Sequence, residues 1–347
     1  MIGTYPIFVK TPVVVNAKVH PAAFQAYKSF WVAITGVLMV VFRYLRGQEP
    51  AYAFTWWAFI AACAWVPAGM CLISATPRAG VAGAVLIFDG STTLLSFVVG
   101  LAAFHEPLKE HLTDDGQVFY LAQYYLALLL AGMIGLVALP RWAAAKCKNA
   151  GSRPADGLAE TLLGTTAPAS ASASASSSAG IPWRGYVLAI GAGTFSALQY
   201  GLVTTAKKLA GAVPSAYDKQ ALDPLGSWTA TFGLSALLLN VILVLVLQAR
   251  ARAASEPPPD LKLRTVWREA SAAGLCYTFS VLLTTAAVSL GGNAVVLAQR
   301  NAVSLVTSGA WGLLWYREWS GLPALAWCAA AAVTMASVIL LGFEKGA

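Results

Sequence analysis

The sequence is poor in charged residues. Only 11% of its 347 residues are Asp, Glu, Lys or Arg, whereas about a quarter of an ordinary soluble domain is charged. This scarcity argues against a soluble globular enzyme, a disordered protein and a nucleic-acid binder. The chain is instead rich in apolar residues, with 58% hydrophobic residues and a mean hydropathy of +0.66. The composition predicts an all-α polytopic membrane protein, and the net charge of +8 is typical of positive loops on one side of a bilayer.

Patterns that carry catalytic or metal chemistry are also scarce. Five cysteines form no CxxC pair and no cluster with the three histidines, so neither a metal site nor a cofactor is predicted. The phosphate-binding pattern GxxxxGK[ST] does not occur, which argues against the use of ATP. The sequence therefore predicts a protein that is not an enzyme. A membrane-embedded receptor or enzyme remains the alternative from another class.

Long apolar segments account for most of the chain. A membrane-spanning helix needs about 20 apolar residues, and nine segments meet this length: 27–45, 52–74, 79–104, 119–140, 183–206, 225–248, 267–290, 292–316 and 321–343. Residues 1–15 resemble the second half of a further span. We therefore predict a ten-helix plan in which the start of the first helix is missing.

A polar segment divides the chain into two parts. Residues 141–182 contain several basic residues and then the alanine–serine run at 169–179. Such a sequence buries too little apolar surface to offset the entropy of ordering it, so we predict a disordered linker. The predicted organisation is a first transmembrane repeat at 1–140, the linker, and a second repeat at 183–347.

The two parts resemble each other. Shifting residues 79–106 by 212 positions onto 291–318 needs no gap and aligns six identical pairs: Gly80 with Gly292, Ala82 with Ala294, Ser96 with Ser308, Gly100 with Gly312, Leu101 with Leu313, and Glu106 with Glu318. Because five spans is an odd number, consecutive five-helix repeats would sit in the membrane with opposite orientation. Inverted repeats recur in secondary transporters, whose substrate site lies near the midplane where the repeats meet.

Three segments carry a resemblance to a known group of proteins. They are Gly3-Thr4-Tyr5-Pro6-Ile7-Phe8-Val9-Lys10, the Phe24-Gln25 pair, and the run from Ser308 to Gly321 that contains Trp311-Gly312 and Tyr316-Arg317-Glu318. With them the chain resembles the drug/metabolite transporter superfamily, most closely the glucose/ribose-type sugar porters and their eukaryotic transmembrane relatives. The resemblance implies ten helices and the carriage of small hydrophilic metabolites without ATP. The alanine–serine linker, the incomplete first helix and a longer acidic loop at 107–118 depart from the pattern.

Charged and polar residues occur in the middle of two predicted spans. Asp89 and Arg300 each lie about 15 Å from the start of their span, which is near the middle of a bilayer. The 212-residue shift aligns Asp89 with Asn301, so we expect Asp89, Arg300 and Asn301 to lie close to one pseudo-two-fold axis. Two interpretations stay open: a site for a sugar hydroxyl or a carboxylate, and a permanent ion pair that locks the two halves together. Gln299 completes the polar triplet, but adjacent helical positions point about 100° apart, so Arg300 is favoured to face a cavity.

Further candidates for substrate binding or coupling lie on other predicted helices. Lys10 lies between two prolines of the first helix, and its counterpart in the second repeat is Tyr200, which follows Gln199. Lys10 suits an anionic substrate as well as a position at the membrane surface. Gln25, Tyr27 and Lys28 open the second span and are as typical of an interfacial belt as of a site. Trp65 and Trp311 are deep aromatic residues that suit stacking on a sugar ring as well as core packing.

Two carboxylates end corresponding helices. Glu106 and Glu318 follow the fourth apolar helix of each half, a position that suits a gate, a loop-orienting contact or a simple interfacial charge.

From the repeat, the charges within the spans and the resemblance together, we predict a secondary transporter that moves a small polar metabolite, foremost a sugar, by alternating access. Carriers of the same fold for nucleotide-sugars, amino acids or other metabolites are the first alternative. The predicted partners are the lipid bilayer and a small molecule, and a homodimer is left open.

The orientation in the membrane has two conflicting indications. Loops on the side of the central linker hold about twice as many Lys and Arg residues as the other side, which places the linker in the cytosol by the positive-inside rule. By that rule both termini lie across the membrane from the cytosol. Members of the resembled superfamily usually have both termini in the cytosol, so the two indications disagree. The sequence therefore predicts a multi-pass membrane protein without assigning its membrane or orientation.

Overall fold

The computed structural model describes residues 4, 8, 11–17, 19–48, 50–79, 81–112, 115, 117–151, 183–211, 215–255, 258, 260–314 and 320–344. These residues form helices with two short strands in one loop. The helices are α1 (Pro12–Ala17), α2 (Pro21–Leu45), α3 (Trp56–Ala79), α4 (Val81–Ala102), α5 (Leu121–Gly151), α6 (Trp183–Leu209), α7 (Ala216–Ala221), α8 (Ser227–Ala253), α9 (Leu263–Gly291), α10 (Asn293–Leu314) and α11 (Leu322–Phe343).

The protein is an all-α polytopic membrane protein. Each of the nine predicted spans coincides with a long helix, and eight of these helices are long and apolar enough to cross a bilayer. The ninth, α10, has the required length, but the triplet Gln299–Asn301 lowers its mean hydropathy. A helix with polar residues at its centre must bury them against other helices or a cavity.

The two halves of the chain share their hydrophobic cores. Helix α6 packs against α3 and α4, α2 against α8, α4 against α10, and α5 against α11. One cluster combines Met133 of α5 with Trp327 of α11, and another combines Trp65 of α3 with Phe232 of α8. Each of the four apolar clusters among the described residues draws on both sides of the central linker. The site described below is therefore held by helices from both halves.

Small residues bring α2 and α8 into backbone contact. A Cβ atom added at Gly36 would lie 2.6 Å from the Cα atom of Ala230, and one at Gly233 would lie 2.7 Å from the carbonyl oxygen of Val32. Neither distance leaves room for a side chain. Membrane helices approach this closely only where small residues line the contact, so these glycines fix the spacing of a pair that joins the two halves.

Two predicted boundaries were wrong. Helix α5 continues through Pro140 to Gly151, so residues 141–151 of the predicted disordered linker are helical, while residues 152–182 lie outside the described part. The estimate of about 20 residues counts only the apolar residues needed to cross a bilayer. The helix itself continues through the alanines at 143–145, because alanine favours helix. Helix α2 begins at Pro21, earlier than residue 27, because Pro21 takes the first turn and His20 Nδ1 accepts a hydrogen bond from the Ala22 amide.

The predicted acidic loop after α4 contains a small hairpin. Strand β1 (His111–Leu112) pairs antiparallel with β2 (Val118–Phe119). The hairpin lies against the end of α11, where His111 Nε2 is 2.7 Å from Glu344 Oε2 and the Lys109 amide donates to the Glu344 carbonyl at 2.9 Å. These contacts tie the loop to the end of the last helix.

Candidate functional site

A small polar cavity lies among α2, α3, α4, α6, α9 and α10. Its volume is about 30 Å³, which is room for about two water molecules. Its lining combines charged and polar side chains with apolar and aromatic ones. The lining residues are Lys28, Trp65, Ala68, Gly69, Leu72, Val85, Phe88, Asp89, Ser196, Tyr277, Arg300 and Ser304. The cavity brings together three of the residues predicted from the sequence, Trp65, Asp89 and Arg300.

Asp89 supplies the carboxylate of this cavity. It is the ninth residue of α4, about 12 Å from the start of the helix, and only 1% of its side chain is exposed. Neither of its carboxylate oxygens accepts a hydrogen bond from the described part of the chain. Burying a carboxylate without a hydrogen-bond partner lowers the stability of the fold. Stability therefore does not account for an aspartate at this position.

Arg300 lies in the same cavity without forming a hydrogen bond to Asp89. One guanidinium nitrogen donates to Asn301 Oδ1 at 2.5 Å, and the guanidinium carbon lies 5.8 Å from the centre of the Tyr200 ring. The Nε atom has no partner among the described residues. The Arg300 guanidinium and the Asp89 carboxylate therefore lie in the same cavity. Each has polar atoms without a hydrogen-bond partner among the described residues.

The other two members of the polar triplet bind neighbouring helices. The Asn301 amide donates to the Asp89 carbonyl at 3.2 Å and to Thr93 Oγ1 at 3.1 Å, joining α10 to α4. The Gln299 amide donates to the Val338 carbonyl on α11 at 2.9 Å. Because adjacent helical positions point about 100° apart, Gln299 contacts α11, Arg300 faces the cavity and Asn301 contacts α4. Of the triplet, Arg300 alone lines the cavity.

Lys28 is a functional candidate that the sequence left open between a site and an interfacial belt. Because α2 begins at Pro21, Lys28 lies two turns inside the helix, and its side chain is 3% exposed. The ammonium group lies 3.9 Å from the centre of the Tyr277 ring and 5.3 Å from that of Trp65. The helix-start signal at His20 and Pro21 could have located Lys28 inside the bundle.

Trp65 and Tyr277 are two aromatic residues of the lining that contact each other. The indole N–H of Trp65 donates to the Tyr277 hydroxyl at 2.7 Å, and the ring centres are 5.7 Å apart. Tyr277 follows Trp65 by 212 residues, the same shift that aligns the fourth helices of the two halves. Extending that alignment to α3 would have identified Tyr277 as a candidate. Ser196 and Ser304, also missed, are common in apolar helices and carry no comparable signal.

The remaining predicted site residues lie elsewhere. Tyr200 is buried behind Arg300, and Gln199 borders a separate narrow void. The indole N–H of Trp311 donates to Thr4 Oγ1 at 3.3 Å, and Trp311 is not among the cavity residues. Lys10 and Glu318 lie outside the described residues. Among the described residues, no three His, Cys, Asp or Glu side chains are grouped closely enough to hold a metal ion.

Glu106 binds the beginning of α10. Its two carboxylate oxygens accept hydrogen bonds from the backbone amides of Asn293 at 2.7 Å and Ala294 at 2.8 Å. The first amides of a helix have no partner within the helix and carry partial positive charge, which a carboxylate neutralises. The preceding residue, Gly292, has a φ of 82°, and a Cβ there would lie 2.7 Å from Glu106 Oε2. This contact orients the helix that carries Arg300.

We expect Glu106→Ala to lower the free energy of unfolding by about 1–3 kcal/mol, the cost of losing a charged helix cap. Thermal unfolding of the purified protein in detergent measures the loss. Glu110→Ala is the matched control, because Glu110 is exposed in the adjacent loop. Equal unfolding temperatures for the two variants would contradict the capping role.

A line of residues leads from the cavity to one end of the bundle. On α6 this face carries Ser196, Gln199, Val203 and Lys207, and on α9 it carries Tyr277, Val281, Thr285 and Ser289. It ends in a surface recess of about 780 Å³, where the Lys207 ammonium donates to the Ser289 carbonyl at 2.5 Å.

A narrow void on the same faces of α6 and α9 has no room for water. Its lining contains apolar side chains, among them Val203, Phe232 and Val281, and the polar residues Gln199, Thr229 and Thr285.

No protein-family model matches the chain, and a search of curated proteins finds no significant match.

Proposed function

We propose that the protein is a secondary transporter that carries a small polar metabolite, foremost a sugar, across the membrane by alternating access. The observation that carries the proposal is the carboxylate of Asp89, which accepts no hydrogen bond from the described residues and lies in a small cavity among apolar helices. A charge in such a place normally serves a substrate, an ion or a proton path. A carrier needs a site of this kind, sealed from both sides in one of its states.

Contacts between residues 212 positions apart support the inverted-repeat plan. Trp65 donates to Tyr277, and Asn301 donates to the carbonyl of Asp89. Residues related by an approximate two-fold axis touch each other only if both lie next to that axis. A cavity flanked by two such contacts lies where the two repeats would meet, which is the usual place of the substrate site in this class of carrier.

The helix pairs follow the same relation. If the five helices of one half correspond in order to those of the other, α2 corresponds to α8, α3 to α9, α4 to α10, and α5 to α11. The pairs α2–α8, α4–α10 and α5–α11 then join counterparts, and the pair α3–α8 has its counterpart in α9–α2. These pairs support the plan of two interlocked repeats.

The cavity is much smaller than a sugar, so a substrate is admitted only when the helices move apart. A carrier makes that movement in each cycle.

Uptake into proteoliposomes tests the proposal. The purified protein is reconstituted and offered labelled sugars, sugar acids, nucleotide-sugars and amino acids, with empty liposomes as the control. Saturable uptake of one class, inhibited by excess unlabelled compound, is the expected result. Uptake no faster than in empty liposomes for every class would contradict the transporter and favour the receptor or enzyme alternative.

A further inference from the structure

A polar cluster joins the two halves of the chain at the end of the bundle that carries the recess. Arg43, in the last turn of α2, donates one hydrogen bond to the Asp223 carboxylate and another to Gln220 Oε1 at 2.5 Å. Asp223 and Gln220 belong to residues 215–226, here called the lid, which contain α7 and lead into α8. A guanidinium that binds two partners at once holds both in a fixed geometry. Arg43 therefore ties the lid to the first half of the chain.

Further hydrogen bonds hold the lid to the loop between α2 and α3. The Gln220 amide donates to the Ala51 carbonyl at 3.3 Å, and the Tyr217 hydroxyl donates to the Phe54 carbonyl at 2.9 Å. Both acceptors precede the central linker, whereas the lid follows it. These contacts must break or rearrange whenever the two halves move apart at this end of the bundle.

The lid lies beside the line of residues that runs from the recess to the cavity. Arg43, Gln220 and Asp223 line the recess together with residues of α6 and α9. Thr229, which lines the narrow void, donates to the carbonyl of Pro224 in the lid at 2.6 Å. The lid thus contacts both the recess and the lining of the void.

We propose that the lid is a gate at this end of the pathway, and that the contacts of Arg43 with Asp223 and Gln220 are the latch that holds it shut. The inference rests on the proposed transport function and names the gate at one end of its pathway. The side chains of Arg43 and Asp223 are 18% and 28% exposed. Because water reaches both charges, the ion pair is weaker than a dry one would be, and it can break and re-form in each cycle.

The reactivity of a thiol in the void tests the gate. Thr285→Cys places the thiol in the lining of the void, at a position that is 3% exposed, in a protein whose five native cysteines have been replaced. Asp223→Asn then removes the charge from the latch and keeps the shape of the side chain. We expect a water-soluble thiol reagent to label the purified protein in detergent about three- to tenfold faster, the effect of losing a half-exposed ion pair. An unchanged rate would overturn the gate.

Two controls separate the gate from a general loosening of the fold. Asp218→Asn changes another carboxylate of the lid, which accepts a hydrogen bond from Ser215 Oγ within the lid at 2.6 Å, and it should leave the labelling of the thiol at position 285 unchanged. Ala122→Cys, at a fully buried position on α5, should stay slowly labelled when combined with Asp223→Asn. Faster labelling at position 122 as well would contradict a local gate.

A double-mutant comparison tests the latch itself. Arg43→Gln should accelerate labelling as much as Asp223→Asn does, and the double variant should add nothing, because both substitutions remove the same contact. Arg46→Gln is the matched control, since its guanidinium lies over the Phe42 ring at the same end of α2, 4.3 Å from the ring centre. Additive effects of Arg43→Gln and Asp223→Asn would contradict a shared latch.

Ionic strength provides a measurement that leaves the latch residues unchanged. Salt weakens an ion pair that water reaches, so the labelling of Thr285→Cys with the native latch should become faster as sodium chloride is added. The same series with Asp223→Asn should be flat. Labelling that does not depend on salt with the native latch would argue against the ion pair as the closing contact.

Two combined outcomes distinguish the gate from the proposed function. Saturable uptake by the parent protein, together with labelling that latch variants leave unchanged, would overturn the gate and leave the transporter intact. Faster labelling in the latch variants without uptake of any compound by the parent protein would overturn the transporter and leave the lid as an entrance to the cavity.

Discussion

Asp89→Asn should lower uptake by at least about a hundredfold, because two charge-assisted hydrogen bonds, each of ~1.5–3 kcal/mol, would be lost to the substrate. The same variant should be at least as stable as the parent protein. Asparagine has nearly the same shape, and the carboxylate it replaces accepts no hydrogen bond from the described residues. A neutral side chain is also cheaper to bury than a charged one. Loss of function with retained stability is the signature of a binding residue.

Uptake by liposomes and thermal unfolding in detergent measure the two effects on the same preparation. Asp115→Asn, at an exposed loop position, is the control and should match the parent protein in both. A large loss of stability in Asp89→Asn would show instead that the carboxylate holds the fold together. Full uptake would show that the substrate does not bind Asp89.

Gly36→Leu should prevent folding. A Cβ at this position would lie 2.6 Å from the Cα atom and 2.8 Å from the amide nitrogen of Ala230, and backbone atoms cannot move aside as a flexible side chain can. Helices α2 and α8 would have to separate along their contact, which also positions Lys28 on α2. The cost should exceed about 3 kcal/mol, the upper range for ordinary overpacking.

The yield of monodisperse protein in size-exclusion chromatography tests this prediction. Gly191→Leu makes the same change in helix α6, at a position with no atom within 4 Å of the added Cβ. It should give normal yield, since leucine favours helix over glycine. Similar yields for the two variants would show that the α2–α8 contact does not determine the fold.

Hydropathy predicted the long helices because the thickness of the bilayer sets a minimum length for each apolar segment. It also singled out Asp89 and Arg300, since a charge in the middle of such a segment is conspicuous. The helix ends followed other rules. The start of α2 depends on Pro21 and the His20 cap, and the end of α5 lies beyond the apolar segment.

Those helix ends explain why the position of Lys28 stayed open. The apolar segment begins at residue 27, which suits an interfacial belt as well as a site, whereas the helix itself begins at Pro21. The sequence also could not predict which atoms the side chains bind. The 212-residue alignment relates Asp89 to Asn301, but which atoms meet depends on the rotation of α4 and α10, which packing determines. The hydrogen bond accordingly runs to the Asp89 carbonyl and leaves its carboxylate facing the cavity.

Access to the cavity from each side of the membrane tests the central claim most directly, and the test needs no knowledge of the substrate. Ser196→Cys places a thiol in the cavity lining of a protein whose five native cysteines have been replaced. A membrane-impermeant thiol reagent is then applied to right-side-out and inside-out vesicles. Ala122→Cys, at a fully buried core position on α5, is the control and should stay unlabelled. Alternating access predicts that the thiol at position 196 is labelled from both sides. Labelling from one side only, or from neither, would contradict a carrier that exposes this cavity to each side in turn.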